Sequence, residues 1–185
     1  RYHDTAATVA HEWIPIRPGT DTAVMVAMSN VMIKEGLHDQ PFLDKYTVGF
    51  DRFKAYVLGR EDGIEKTPAW AAEISGVSAS TIERLAREYA ATKPSALMDC
   101  QGPARSAMGE QYNRCAATLC AMTGNVGRPG GSAGGGLMGI PVAHMFRMPA
   151  IPPGKNPFEL DGPQVKGTLD IRQRVIKRVH INKIF

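Results

Sequence analysis

Half of the sixteen residues 124–139 are glycine, and six prolines follow in residues 141–163. Glycine loses the most backbone freedom on ordering, and proline cannot donate to a helix or a ladder. These 40 residues are too many for an ordinary connection. They read either as a functional loop packed against other protein or as a mobile excursion. The chain therefore divides into an α/β region at 1–136, an irregular Gly/Pro-rich segment at 137–167, and a basic, partly helical start of a further element at 168–185.

Hydrophobic residues make up 43% of the 185 and charged residues 22%, which is ordinary globular usage and excludes a wholly disordered chain. No run of about 18 apolar residues offers a membrane span. No basic segment followed by an apolar one opens the chain, so no targeting signal is read here. Formal charge is +4, from 22 basic against 18 acidic residues. Residues 166–185 hold six basic residues and one acid, a local +5 that leaves −1 for residues 1–165. A body of that charge is not a nucleic-acid binder. The tail reads as a solvated face, with contact to phosphates or an anionic surface as the alternative.

Cys100, Cys115 and Cys120 are odd in number and form no Cys-x-x-Cys, so neither a disulfide framework nor a zinc site is indicated. Five histidines are scattered without a metal-binding spacing, and no nucleophile stands beside a base. The sequence assigns no catalytic residue and no metal ligand. Gly134, Gly136 and Gly139 formally match G-x-G-x-x-G, but they follow more glycine and precede Ile140-Pro141. A dinucleotide fingerprint must leave a strand and open a helix, so the match is set aside.

Residues 11–17 (HEWIPIR) and 95–100 (SALMDC) are short apolar runs that read as buried strands. Helices are expected from Thr20-Asp21 to Gly36, from Gln40-Pro41 to Tyr46, from Thr67-Pro68 to Gly76, and from Gly109 to Met122 with Gly124 closing it. A further helix is expected from a Ser80-x-x-Glu83 capping box, and residues 53–58 read as a strand or an irregular stretch. Strand and helix in alternation predict a partial, parallel-sheet, Rossmann-like α/β domain. Its two strand-end turns, near Asp21 and Arg105, would share one edge, where such sheets bind ligands.

Pro18 and Gly19 let a backbone approach a ligand closely, and the helix that follows points amides at an electronegative group. Asp21 can accept two parallel hydrogen bonds, which guanine N1–H and N2–H₂ offer, or it can simply cap its helix. Arg105, in the turn Gln101-Gly102-Pro103-Ala104-Arg105, can fork onto a diphosphate or form a surface ion pair.

Several ordered motifs carry a resemblance. They are Arg1-Tyr2, Thr5-Ala6, Glu12-Trp13-Ile14-Pro15-Ile16-Arg17-Pro18-Gly19-Thr20-Asp21, and Gln40-Pro41-Phe42-Leu43-Asp44-Lys45-Tyr46. Further along come Lys66-Thr67-Pro68, Trp70-Ala71, Leu85-Ala86-Arg87-Glu88, Gly102-Pro103-Ala104-Arg105, Thr123-Gly124-Asn125-Val126-Gly127 and Gly130-Gly131. Together they resemble the molybdopterin oxidoreductase family, within it the catalytic subunits of the dimethyl sulfoxide reductase branch. The likeness is good over residues 1–136 and loose beyond.

That resemblance implies a bis(molybdopterin guanine dinucleotide) molybdenum cofactor. It implies that the segment holding Pro15, Ile16, Pro18, Gly19 and Asp21 lies at one guanine nucleotide, with Asp21 on the base. Arg1 matches the end of a family Asp-Pro-Arg at the same nucleotide. Gln101, Gly102 and Arg105 match a loop near the pterin and diphosphate, although the family often has Trp-Gly where this chain has Gln101-Gly102. The implied parent moves two electrons and an oxygen atom while molybdenum cycles between Mo(IV) and Mo(VI). A [4Fe-4S] cluster and the molybdenum-ligating residue belong to upstream parts, which makes this chain an expected internal portion of a larger subunit. Also implied are a small-molecule oxidant or reductant, an iron–sulfur electron-transfer subunit, a membrane-anchor subunit and a prokaryotic, periplasmic or membrane-associated setting. The alternative is a stand-alone guanine-nucleotide-binding α/β module without redox activity.

Overall fold

The computed structural model describes residues 8–99, 101–132, 165–166 and 175–176. The chain divides into two compact units, Arg1–Pro141 and Val142–Phe185. Among the described residues of the first, seven helices follow the irregular segment around Arg17. They are α1 (Asp21–Lys34), α2 (Gln40–Tyr46), α3 (Phe50–Val57), α4 (Pro68–Ser75), α5 (Ala79–Ala91), α6 (Gln101–Ala104) and α7 (Glu110–Met122).

The core is built around α1. Every residue from Val24 to Ile33 is buried, on all sides of the helix. A helix that is apolar all round must be enclosed, and α3, α4, α5 and α7 all pack on it. Its two buried polar residues are satisfied. Ser29 Oγ donates to Met25 O at 3.0 Å, and Asn30 Nδ2 donates to Glu65 Oε1 at 3.0 Å. The Asn30 and Lys34 hydrogen bonds hold the Glu65 carboxyl below the usual carboxylate range.

The expected parallel α/β sheet is not present among the described residues. The described part of the first unit is helical. In the second unit, β1 (Val165–Lys166) and β2 (Val175–Ile176) pair antiparallel, with Val165 opposite Ile176 and Lys166 opposite Val175. Residues 175–176 are thus extended where a partly helical segment was read. The rest of that segment lies outside the described residues.

Residues 11–17 and 95–99 form neither helix nor strand, although their composition suggested strands. A strand needs a second strand to take its backbone groups. Here the Arg17 amide donates to Ser75 O, Ser95 N donates to Asn125 Oδ1, and Leu97 O accepts from Ser132 Oγ. Ile14 and Ile16 still pack against the core while Pro15 between them is exposed. The period of two survives without a sheet.

Residues 53–58 were read as a strand or irregular; 53–57 belong to α3 and Leu58 is its C-cap. Phe50, Phe53 and Val57 stand at helical spacing and face the core, and left-handed Gly49 starts the helix. The charged loop before α4 buries one of its charges. Lys66 Nζ donates to Asp62 Oδ2 at 2.6 Å and to Ile64 O, and it stands 4.5 Å from the Tyr56 ring centroid. That bond holds the Asp62 carboxyl below its ordinary range.

Three ends follow the sequence closely. Asp39 caps α2 by accepting from Phe42 N, Thr67 caps α4 by accepting from Trp70 N, and Gly124 follows α7 at φ +64. A Cβ at Gly124 would stand 2.6 Å from Asp39 Oδ2, so the Asp39 side chain would have to shift. The start of α5 differs. Its cap is Ser78, which accepts from Thr81 N at 3.2 Å, and Ser80 already lies inside the helix. Ser78→Ala should therefore cost about 1 kcal/mol in urea unfolding, and Ser80→Ala less than about 0.5 kcal/mol. The reverse order would restore the capping box at Ser80.

Candidate functional site

One cleft of about 470 Å³ is lined by Ile16, Pro18, Gly19, Asp21, Gly102, Pro103, Arg105 and Ser106. Two turns far apart in sequence meet there. The first enters α1, which packs against α7, and the second runs through α6, which packs against α7 as well. Helix packing thus brings together what a shared sheet edge was expected to bring together.

Each wall has a local cause. Gly19 adopts φ +81, and a Cβ built on it would meet nothing within 4 Å. The glycine is needed there for its left-handed backbone, and the space beside it is open. Thr20 is the N-cap of α1, but its hydroxyl makes no capping bond; Oγ1 donates instead to Arg17 O at 2.7 Å. Ala23 N donates to Thr20 O at 3.0 Å, while the amides of Asp21 and Thr22 come before any intrahelical acceptor. Asp21 is the first residue of α1, and its carboxylate makes no hydrogen bond or ion pair among the described residues.

On the other wall, Arg105 N donates to Gly102 O at 3.1 Å, and Ser106 Oγ donates to Pro103 O at 2.8 Å. Gly109 closes this turn onto α6. A Cβ there would stand 2.5 Å from Ala104 O, so only glycine lets α7 start so near. Met108 beside it takes φ +57, a left-handed conformation that is uncommon for a side-chain-bearing residue.

Of the residues singled out in the sequence, Ile16, Pro18, Gly19, Asp21, Gly102 and Arg105 line this cleft. Pro15 is exposed and does not line it. Gln101 opens α6, but its side chain lies outside the described residues, as does all of Arg1. Sequence reasoning missed Pro103 and Ser106 in the wall. It also missed Arg17, whose guanidinium Nη1 reaches Glu73 O and Ile74 O. Nothing in the local pattern points from Arg17 to partners 56 and 57 positions away.

The arrangement can bind an elongated polar ligand. A carboxylate and helix amides stand on one side and a guanidinium on the other. Among the described residues, no group of three or more His, Cys, Asp or Glu could hold a metal ion. The described cysteines are held as neutral thiols. Burial pushes Cys115 up to about 12, and burial is also the main cause that raises Cys120, whose Sγ stands 3.4 Å from Tyr89 Oη.

A family profile for molybdopterin oxidoreductase matches residues 1–174. The chain is 46% identical over 176 residues to dimethyl sulfoxide reductase DmsA of Haemophilus influenzae, covering 88% of this chain and 21% of that protein. It is 45% identical over 174 residues to DmsA of Escherichia coli, with 86% and 21% covered. Against trimethylamine-N-oxide reductase of H. influenzae it is 41% identical over 131 residues, with 71% and 16% covered. Among solved structures, acetylene hydratase from Pelobacter acetylenicus is similar, with a TM-score of 0.50 and 30% identity, covering 65% of this chain and 16% of that one. The chain thus spans about a fifth of the length of its curated relatives.

Cys115, with its raised value, carries roughly a thousandfold less thiolate at pH 8 than a free cysteine. It should react with iodoacetamide at that pH only after denaturant is added. Because the unfolded thiol ionises first, folding stability should fall as pH climbs from about 8.5 toward 12. Rapid labelling of native Cys115 would contradict its burial.

Proposed function

This chain belongs to the molybdopterin oxidoreductase family, and on that premise we propose that its cleft holds the guanine nucleotide end of a bis(molybdopterin guanine dinucleotide) cofactor. The chain corresponds to a portion of a catalytic subunit like those of dimethyl sulfoxide and trimethylamine-N-oxide reductases. The observation that carries the reading is that Asp21 and Arg105, chosen separately from sequence, line one cleft with the two glycines Gly19 and Gly102.

The donor set fits a guanosine diphosphate. Guanine presents two parallel N–H donors, and a carboxylate with no other partner among the described residues accepts both. The α1 amides and the Arg105 guanidinium favour the phosphates. Gly19, open on its Cβ side, lets the backbone come within contact of the ligand. When bound, the molybdenum–pterin group supplies two-electron, oxygen-atom-transfer chemistry. The residues described here bind one end of it and set its orientation.

The rest of the reading is what the family resemblance implies. The parent would reduce a small-molecule oxidant such as an S-oxide or N-oxide. It would carry a [4Fe-4S] cluster in other parts, pass electrons through an iron–sulfur subunit, and sit with a membrane-anchor subunit in a periplasmic or membrane-associated complex. The relatives named above are bacterial, and no described helix is long and apolar enough to cross a membrane.

The test is calorimetric, on the full chain produced without molybdate, with GDP, guanosine and ADP as probes. Asp21→Asn should weaken GDP and guanosine alike by about tenfold or more, because one of two charge-assisted bonds is lost. Arg105→Ala should weaken GDP by a similar factor and leave guanosine nearly unchanged. Equal affinity for ADP and GDP, or an unaltered Asp21→Asn protein, would sink the guanine assignment.

A further inference from the structure

The end of α4 has an unusual partner. A helix leaves its last four carbonyls without intrahelical donors. In α4 the Ala72 carbonyl accepts from Gly76 N at 2.9 Å, and the next three all accept from Arg17. Nη1 donates to Glu73 O at 2.7 Å and to Ile74 O at 3.0 Å, and the Arg17 amide donates to Ser75 O at 3.0 Å. Glu73 contributes its carbonyl to this contact, not its carboxylate. The Arg17 stem lies across left-handed Gly76, where a Cβ would meet Nε at 3.6 Å and Cγ at 3.8 Å.

The same residue holds the other side. Arg17 O accepts from Thr20 Oγ1 at 2.7 Å and from Thr20 N at 3.3 Å. Its amide and Nη1 therefore point back to α4, and its carbonyl points on to the turn that carries Gly19 and Asp21. A second tether lies upstream, where Arg84 Nη2 of α5 donates to both Glu12 carboxylate oxygens at 2.6 and 2.7 Å. This segment has no partner strand among the described residues to set its position. These side chains set it instead.

We infer that Arg17 is the positioning residue of the guanine-recognising turn: by closing the end of α4 while holding Thr20, it fixes where the Asp21 carboxylate stands in the cleft. This rests on the reading of that cleft as a guanine-nucleotide site. The effect is one of placement more than of global stability, because the clamp is solvent-exposed and exposed polar contacts add little to folding. A guanidinium suits the task because its planar fork meets two adjacent carbonyls from one nitrogen and still stacks along the backbone.

The experiment compares Arg17→Gln, Arg17→Lys and Thr67→Ala in the full chain produced without molybdate. Thr67→Ala weakens α4 from its other end, where Thr67 Oγ1 accepts from Trp70 N at 3.1 Å, and leaves the clamp intact. Arg17→Gln should weaken GDP about fivefold or more, Arg17→Lys should recover part of the loss, and Thr67→Ala should lower the thermal midpoint yet stay within about twofold of the parent in GDP affinity. Amide hydrogen exchange supplies a readout that needs no ligand. The Thr20 amide should exchange about tenfold faster in Arg17→Gln and be unchanged in Thr67→Ala.

If Thr67→Ala and Arg17→Gln alter affinity and exchange equally, Arg17 is only a structural contact and the inference is overturned. If the parent protein binds no GDP, the nucleotide reading fails by itself. The exchange comparison then decides separately whether Arg17 holds the turn, and unchanged exchange in Arg17→Gln overturns that too.

Discussion

The structure depends on keeping water away from α1. Ten consecutive residues, Val24 to Ile33, are buried, so no face of this helix is left to meet solvent. Helices α3, α4, α5 and α7 are the enclosure that this demands. Burying one Met or Val side chain is worth roughly 1.5–3 kcal/mol, so α1 offers the largest single gain in the described part of the chain. Its first residue, Asp21, is also the first polar group of the cleft. Enclosing α1 and aiming the site are thus one structural event.

The parts of this fold that were readable from sequence are those governed by local chemistry. Thr67-Pro68, Gln40-Pro41, and Gly124 after α7 mark helix ends through local chemistry. The misread parts turn on partners that a local pattern does not contain. Residues 11–17 and 95–99 have strand-like composition, yet their hydrogen bonds go to Ser75, Asn125 and Ser132. Lys66 belongs to a run of charges before α4, yet it is buried against Tyr56. Ser80 matched a capping box, but Ser78, two residues earlier, has the extended backbone a cap needs.

The cleft was legible for a related reason. Glycines that must turn left-handed or leave open space, and polar residues at the start of a helix, advertise themselves without knowledge of the fold. Gly19 and Asp21 are of that kind, whereas Gly102 and Arg105 stood out as parts of a turn after an apolar run. What was not legible was the agent of their meeting. The sheet edge expected to align the two turns is replaced by α1 and α6 each packing on α7. Arg17 escaped notice because its partners lie at the end of another helix.

The Arg17 contact has an electrostatic side. A helix carries about half a negative charge at its carboxyl end and half a positive charge at its amino end. One short turn joins the guanidinium on the carboxyl end of α4 to the amino end of α1. Two opposite poles would otherwise face one small region, within reach of each other through a Debye length of about 8 Å at physiological salt. The cation offsets the negative pole of α4, and the positive pole of α1 then shares the turn with the Asp21 carboxylate. What a ligand meets at the turn is set as much by the helix that is silenced as by the helix that attracts.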